Sequence, residues 1–439
     1  MSDLRARGWT RPPALNAAVA SVLVVLAGCG SPAPTAAPSS APPSAVATSS
    51  PATPARSASP LPSADVQAIY DAIEQQVIQI RGLKPSRPVA MESIDGAQLR
   101  TMMTDEFDRE SPPAYVAATE RLYKALGLVP ADSNLRNLTL DMLSGGVIGF
   151  YRNDQGKLYV VSKTGAPGVG ERITFAHEFD HALQDQNFPV FKDQEGVLDQ
   201  SDRILARQAV YEGDATLLMT LWAAAHFGPQ DMLAYLALSA DPAAQSVLQA
   251  TPPFLRDLLL YPYTTGLSFV QATELGDGWN GVDDLYRRMP VSTEQILHPQ
   301  KYATNEAPIQ VELPEDLAAQ LGNGWSVLLE DTFGELQIDD WLRESGVKPA
   351  TATAAAAGWG GDRLAVAEGP NAAWGVVIDT VWDTGADASE FADAATTAIA
   401  GLANPARISS PPGRHVTVLV ASSEDALLAL DVIFGATGV

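Results

Sequence analysis

The five residues His177-Glu178-Phe179-Asp180-His181 restrict this chain more than anything else in it. They lie in the stretch ITFAHEFDHALQDQNF, and Arg172 to Phe188 contains neither Pro nor Gly, so the pattern predicts a helix. That helix should begin after the Gly-Ala-Pro-Gly-Val-Gly turn at 165–170 and stop before Pro189. His177 and His181, four residues apart, then share one face and can reach one ion. Glu178 lies beside that face, where a carboxylate can take a proton from a water that the ion activates. Phe175, Phe179 and Ala182 make an apolar stripe, while Gln184 joins the two histidines on another side. Two buried imidazoles around a carboxylate would be costly without a compensating cation.

Catalytic zinc usually takes three protein ligands and keeps one position open. Residues 203–227, RILARQAVYEGDATLLMTLWAAAHF, read as a long buried helix interrupted by Glu212 and Asp214. A charged side chain there needs a partner or a metal. Glu212 is the expected third ligand. Asp214 is the expected acceptor for the free N–H of a ligand imidazole. Residues two apart on a helix point in different directions, so the two roles could be exchanged. Pairing of both acids with Arg203 or Arg207 is the plain alternative. Upstream, VIGFYRNDQGKLYVVS (147–162) predicts a hairpin turning at Asn153–Gly156. For a neutral donor to an oxyanion the candidates are Tyr263 and His298, with Tyr302 as a second phenol. His226 ends an apolar helix and can simply cap it, and His415 starts a distant strand.

HEFDH followed by a Glu in a second helix resembles the gluzincins, the thermolysin-like zinc metallopeptidases. The longer wording, HEFDHALQDQNF and then VYEGDA, resembles a bacterial and archaeal group of membrane-associated metallopeptidases. The resemblance is most specific over 145–215 and looser out to about 345. It implies Zn2+ held by His177, His181 and Glu212, with Glu178 as general base of a metalloendopeptidase. Where the thermolysin pattern has an Asp one turn after the third ligand, this chain has Thr216. Asn187 stands where a metzincin would have its third His, which excludes that branch. In gluzincins an edge strand ahead of the zinc helix holds the substrate backbone. Lys157 to Ser162 is the candidate, although an ordinary strand of a small sheet fits the same residues.

The first 28 residues carry Arg5, Arg7 and Arg11, then an apolar run from Ala14 to Ala27, too short to span a membrane. The ending Leu26-Ala27-Gly28-Cys29 resembles the lipobox of bacterial lipoproteins, which implies cleavage before Cys29 and its lipidation. Cys29 is the single cysteine, so no internal disulfide is expected. Residues 29–62, nearly all Pro, Ala, Ser and Thr after Cys29, read as a disordered tether. The expected location is therefore extracytoplasmic, anchored to the bacterial cell membrane by lipid. The formal net charge is −24, which argues against nucleic acid as a partner. A peptide or protein is the expected substrate; the oligomeric state stays open.

The expected fold class is α+β: a mainly helical, zincin-like domain with a small β-hairpin or sheet over 63–345, then a small α/β module over 346–439. Helices are expected from about Ser63 and over Pro113–Leu126, with a solvated acidic patch at Asp105, Glu106, Asp108 and Glu110 between them. The Ala run at 350–357 marks the expected boundary, and no catalytic set is visible after it. Two rival functions remain. One is a lipoprotein whose zinc fold only binds or senses. The other is a solute-binding lipoprotein, which would need two similar α/β lobes where one small module is legible.

Overall fold

The computed structural model describes residues 63–145, 148–161, 166–188, 199–239 and 242–435. The expected signal sequence, Cys29 and the tether lie outside these residues. The protein is a mixed α+β structure, as its residue patterns predict. No helix among the described residues is long and apolar enough to cross a membrane.

The chain starts with helix α1 (Ser63–Arg81), strand β1 (Ala90–Ile94) and helices α2 (Gly96–Glu110), α3 (Pro113–Ala125) and α4 (Leu135–Gly145). A hairpin of β2 (Gly149–Arg152) and β3 (Lys157–Val161) leads into α5 (Val169–Asn187) and α6 (Ser201–His226). Then come α7 (Pro229–Ser239), α8 (Pro242–Ala250) and α9 (Pro253–Tyr261), a π-helical turn (Pro262–Gly266), and α10 (Leu267–Arg287). The short α11 (Thr293–Leu297), α12 (Pro299–Ala303) and α13 (Leu317–Leu321) precede β4 (Ser326–Asp331). The remainder runs α14 (Gly334–Glu344), α15 (Pro349–Ala356), β5 (Trp359–Glu368), β6 (Trp374–Trp382), α16 (Gly385–Ile399), β7 (Ala406–Ser409), β8 (His415–Ala421) and α17 (Glu424–Phe434). Prolines that look like breaks in the sequence open helices here: Pro113, Pro229, Pro242, Pro253, Pro299 and Pro349 each stand first. Their missing N–H is one that a first turn leaves unpaired anyway.

The hairpin forms as expected, but its strand roles differ from the expectation. The sheet order is β1-β3-β2, so Lys157–Val161 is the central strand and β2 is an edge. β1, which has few apolar residues, supplies the parallel neighbour that makes it central. The acidic patch also differs. It lies within α2, where Glu106 and Glu110 are buried and Glu106 pairs with Arg109 and with Arg152 of β2. Only Asp105 and Asp108 are exposed, because the period of α2 turns Glu106 and Glu110 inward.

Three elements build the core beneath α5. Tyr70, Ile73 and Val77 of α1 pack on Phe175 and Phe179 of α5, with Leu218 and Trp222 of α6 and Leu158 and Val160 of β3. The C-terminal part is a five-stranded antiparallel sheet ordered β4-β5-β6-β8-β7. Leu364, Val366, Val376, Ile378, Val418 and Val420 face α14, α15 and α16. Their alternates Ala365, Ala367, Val377 and Leu419 face α13 and α17. Both faces are covered, which is why these strands read as continuous apolar runs. The unit begins at β4, ahead of the boundary expected at 346, and α15, the Ala run, lies inside its core. That core also takes in Leu122 of α3 and Phe254 of α9, so the sheet is fused to the helical part.

Candidate metal centre

Helices α5 and α6 cross with their ligand-bearing faces together. Nε2 of His177 and Nε2 of His181 are 3.1 Å apart, and the rings stand nearly perpendicular, at 87°. Oε2 of Glu212 is 3.2 Å from the first nitrogen and 3.4 Å from the second. The three residues are buried, and one ligand atom from each lies within 4.8 Å of the others. Ligands about 2.0–2.1 Å from a tetrahedral zinc ion lie about 3.3 Å from one another, which these separations match.

The orientation of His181 follows from its neighbour. Gln184 donates through Nε2 to Asp180 Oδ2 at 3.0 Å and to the Tyr211 carbonyl at 3.1 Å. Both amide N–H groups are thus committed, and Oε1 faces His181 Nδ1 at 2.9 Å. An acceptor there requires Nδ1–H, which in the neutral ring leaves the Nε2 lone pair toward His177. Nitrogen pairs this close call for a shared proton or a cation, and the donor set suits a divalent ion of the zinc type. Burial lowers His177, opposed by its bond to Glu212. For His181 burial also lowers, but the Glu212 carboxylate outweighs it and lifts the group to about 10. Glu212, in turn, is held down at about 2: burial would raise it, and the two imidazoles prevail.

Glu178 is fully buried on the same helix, and its Oε2 accepts the Tyr151 N–H at 2.8 Å. That N–H points away from β3, because Tyr151 occupies a non-hydrogen-bonded position of the hairpin. The edge strand beside the candidate base is therefore β2, not Lys157–Val161. Tyr151 is also tied to α5 by its hydroxyl, which donates to Asp185 at 2.7 Å.

Asp214 does not hold a ligand imidazole. Its carboxylate takes Arg81 Nε at 3.0 Å, Arg81 Nη2 at 3.1 Å and the Tyr286 hydroxyl at 2.6 Å. Two residues along α6 amount to about 200° of rotation, so an acid next-but-one to an inward Glu212 faces elsewhere. Gln184 supplies the acceptor instead. Burial first, then the neighbouring Asp214 carboxylate, pushes Asp180 up to about 8.

Tyr263 comes to the site and His298 is paired elsewhere. The Tyr263 ring centroid lies 6.4 Å from that of His177. It is carried by the π-helical turn, which packs tightly on α6. A Cβ on Gly266 would stand 2.4 Å from the Ala209 carbonyl oxygen, and one on Gly213 would stand 2.5 Å from that of Gly266. Glycine at both positions permits this approach. His298 Nε2 bonds Glu335 Oε1 at 2.8 Å, and Tyr302 donates to the Arg288 carbonyl at 2.8 Å. His226 sits at the far end of α6 against Trp222, about 21 Å along the axis from Glu212. Arg81, Tyr286 and the two glycines are the residues that sequence reasoning missed, whereas Gln184 shares the histidines' side of the helix but has no role assigned to it there. One signal was available: Trp279, Asp283 and Tyr286 follow helical spacing, and all three meet Arg81 or its partner Asp214.

A second acidic group, Glu294, Glu306 and Asp383, differs in kind. Its carboxylates surround Lys301 Nζ at 2.5, 2.8 and 2.7 Å, so an ammonium already balances them.

A family model described as "Domain of unknown function (DUF8575)" matches residues 326–431, the span of the five-stranded sheet and its helices. No curated protein matches the chain. A crystal structure from Chloroflexus aurantiacus, named a "putative hydrolase with a novel fold", aligns at 17% identity over 55% of this chain and 89% of that one, with a TM-score of 0.37. At that level of superposition the likeness says nothing of what this chain does.

Proposed function

We propose that this protein is a zinc-dependent metalloendopeptidase that hydrolyses peptide bonds outside the cytoplasmic membrane, held there by lipid on Cys29. The observation that carries the reading is the convergence of two Nε2 atoms and one carboxylate from His177, His181 and Glu212, with Glu178 on the same helix as the two imidazoles. A zinc ion held by these three residues would supply Lewis acidity toward the scissile carbonyl and its attacking water. Glu178 accepts the proton of that water and returns it to the leaving amine. The Tyr151 N–H holds one of its oxygens and so fixes the plane of the carboxylate. Gln184 faces His181 Nδ1 with its carbonyl oxygen, which makes Nε2 the ligand nitrogen of the neutral ring. Tyr263, beside His177, is the donor suited to a developing oxyanion. The buried setting strengthens each of these interactions.

The test is metal analysis of the purified full chain together with cleavage of casein or a peptide library. One zinc per chain is expected, with cleavage that a chelator abolishes and added zinc restores. Absence of any bound divalent metal would sink the reading. A second reading draws on the enclosure of the site, where His177 and Glu178 are 0% exposed. A lipoprotein that binds or senses metal without cleaving would show stoichiometric zinc and no hydrolysis of any library member.

A further inference from the structure

Arg81, the last residue of α1, is one of the largest fully buried side chains described and reaches acids on both helices that carry the metal ligands. Its guanidinium meets carboxylates from three helices. Nε and Nη2 hold Asp214 of α6 at 3.0 and 3.1 Å, Nη1 holds Asp283 of α10 at 2.8 Å, and Nε stands 3.9 Å from Asp180 of α5. Its carbon lies 4.7 Å from the centre of the Trp279 ring, which closes the remaining side. The second half of α10 is aimed at it by a break at Gly278, whose φ is 64°. Asp180 directly precedes His181, and Asp214 follows Glu212 by two residues.

We propose that Arg81 is a positioning residue that clamps α5 to α6 and so sets the separation of the metal ligands. The inference rests on the metal reading of His177, His181 and Glu212. Asp180 and Asp214 belong to the two ligand helices and face each other across one guanidinium in a site without solvent. Remove that charge and Asp214 is left buried without its ion-pair partner next to Asp180, which loosens the packing of the two helices that hold the imidazoles and Glu212. The same movement pulls Gln184 of α5 from the Tyr211 carbonyl of α6 and so loosens the amide that faces His181 Nδ1. Arginine fits the task because its planar fork reaches several carboxylates at fixed angles, which a lysine ammonium does not. The first helix is thus part of the metal centre although it supplies no ligand.

The experiment compares the full chain with its Arg81→Met, Arg81→Lys and Leu364→Ala variants. Zinc affinity is read by competition with a chromogenic chelator, and ligand geometry by the visible spectrum of the Co2+-loaded protein. Arg81→Met should bind zinc about 10–100-fold more weakly, the range for loss of an outer-shell partner, with an altered Co2+ spectrum. Arg81→Lys should fall in between and stands in should Arg81→Met not fold. Leu364→Ala, in the core of the C-terminal sheet, controls for stability and should keep wild-type affinity and spectrum. Zinc affinity within about two-fold of wild type and an unchanged spectrum in folded Arg81→Met, or in Arg81→Lys where only that variant folds, overturns the clamp. An equal loss in Leu364→Ala also overturns it, since general loosening would then explain the effect. A wild-type chain that binds no divalent ion removes the metal reading itself, whereas wild-type zinc binding with an indifferent Arg81 removes the clamp alone.

Discussion

The α5–α6 crossing and the C-terminal sheet are both buried, and they are held in opposite ways. The sheet is filled by Val, Ile, Leu, Ala and Trp from alternating positions, with α14–α16 on one face and α13 and α17 on the other. At the crossing, by contrast, His177, Glu178, Asp180, His181, Gln184, Glu212, Asp214 and Arg81 are all buried. Apolar packing tolerates small errors of position, since its energy follows the area removed from water. A buried polar set depends on every partner being present, because an unpaired charge there costs several kcal/mol. Substitutions at the crossing should therefore change chemistry and metal binding, and substitutions in the sheet should change stability.

The sharpest break of this contrast is Glu212→Ala. It should lose stoichiometric zinc, and with it measurable hydrolysis, while circular dichroism stays close to wild type; metal retained at one per chain would move the third ligand elsewhere. Next is Glu178→Gln, expected to keep zinc and to lower kcat about 10²–10⁴-fold, the usual contribution of a general base. Hydrolysis at the wild-type rate would reject that role for Glu178. In the sheet, Trp359→Ala removes a fully buried indole and should cost about 3–5 kcal/mol of stability. Its activity per folded molecule should remain within about two-fold of wild type, and a larger loss would tie the sheet to the chemistry.

Gly266→Ala probes the joint between the regions. The added Cβ meets the Ala209 backbone, and the strain should cost about 1–3 kcal/mol. It should also lower kcat by displacing the turn that carries Tyr263, whereas a variant of unchanged kcat would free Tyr263 from the mechanism. The smallest effect concerns pH. Burial pushes Asp331 up to about 7 and Asp362 up to about 6. In both, the folded state keeps a proton that the unfolded chain releases near pH 4. Their contribution to stability is thus fully present below about pH 4 and is lost as pH rises through 6 to 7. Melting temperature should fall by at least about 3 °C between pH 5.5 and 8; a rise over that interval would contradict the assignment.

Much of this was legible in the residues. The bounds of α5 follow from the glycines before it and Pro189 after it, and α6 shows as a run without Pro. The i, i+4 spacing of His177 and His181 places both on one face whatever surrounds them. The sheet strands show as β-branched runs, since burial on both faces leaves few polar interruptions. Other features could not be read so. The central place of β3 depends on β1, whose Ala-Met-Glu-Ser-Ile carries no clear strand pattern. That β4, Ser-Val-Leu-Leu-Glu-Asp, joins the later strands is not legible, because it is short and stands before two helices. Glu106 and Glu110 looked solvated because burial of a charge is decided by partners such as Arg109 and Arg152, distant or near.

Local spacing alone thus determined the helix that presents two imidazoles and a neighbouring carboxylate, since that arrangement needs only 3.6 residues per turn. Only the tertiary structure decided that Glu212 joins them while Asp214 turns to Arg81, that Gln184 orients His181, and that Tyr263 arrives beside His177. Each of those pairings joins segments far apart in the chain or chooses among near-equivalent polar neighbours. The choice is made by which charges find partners once water is gone, and that depends on how the helices pack.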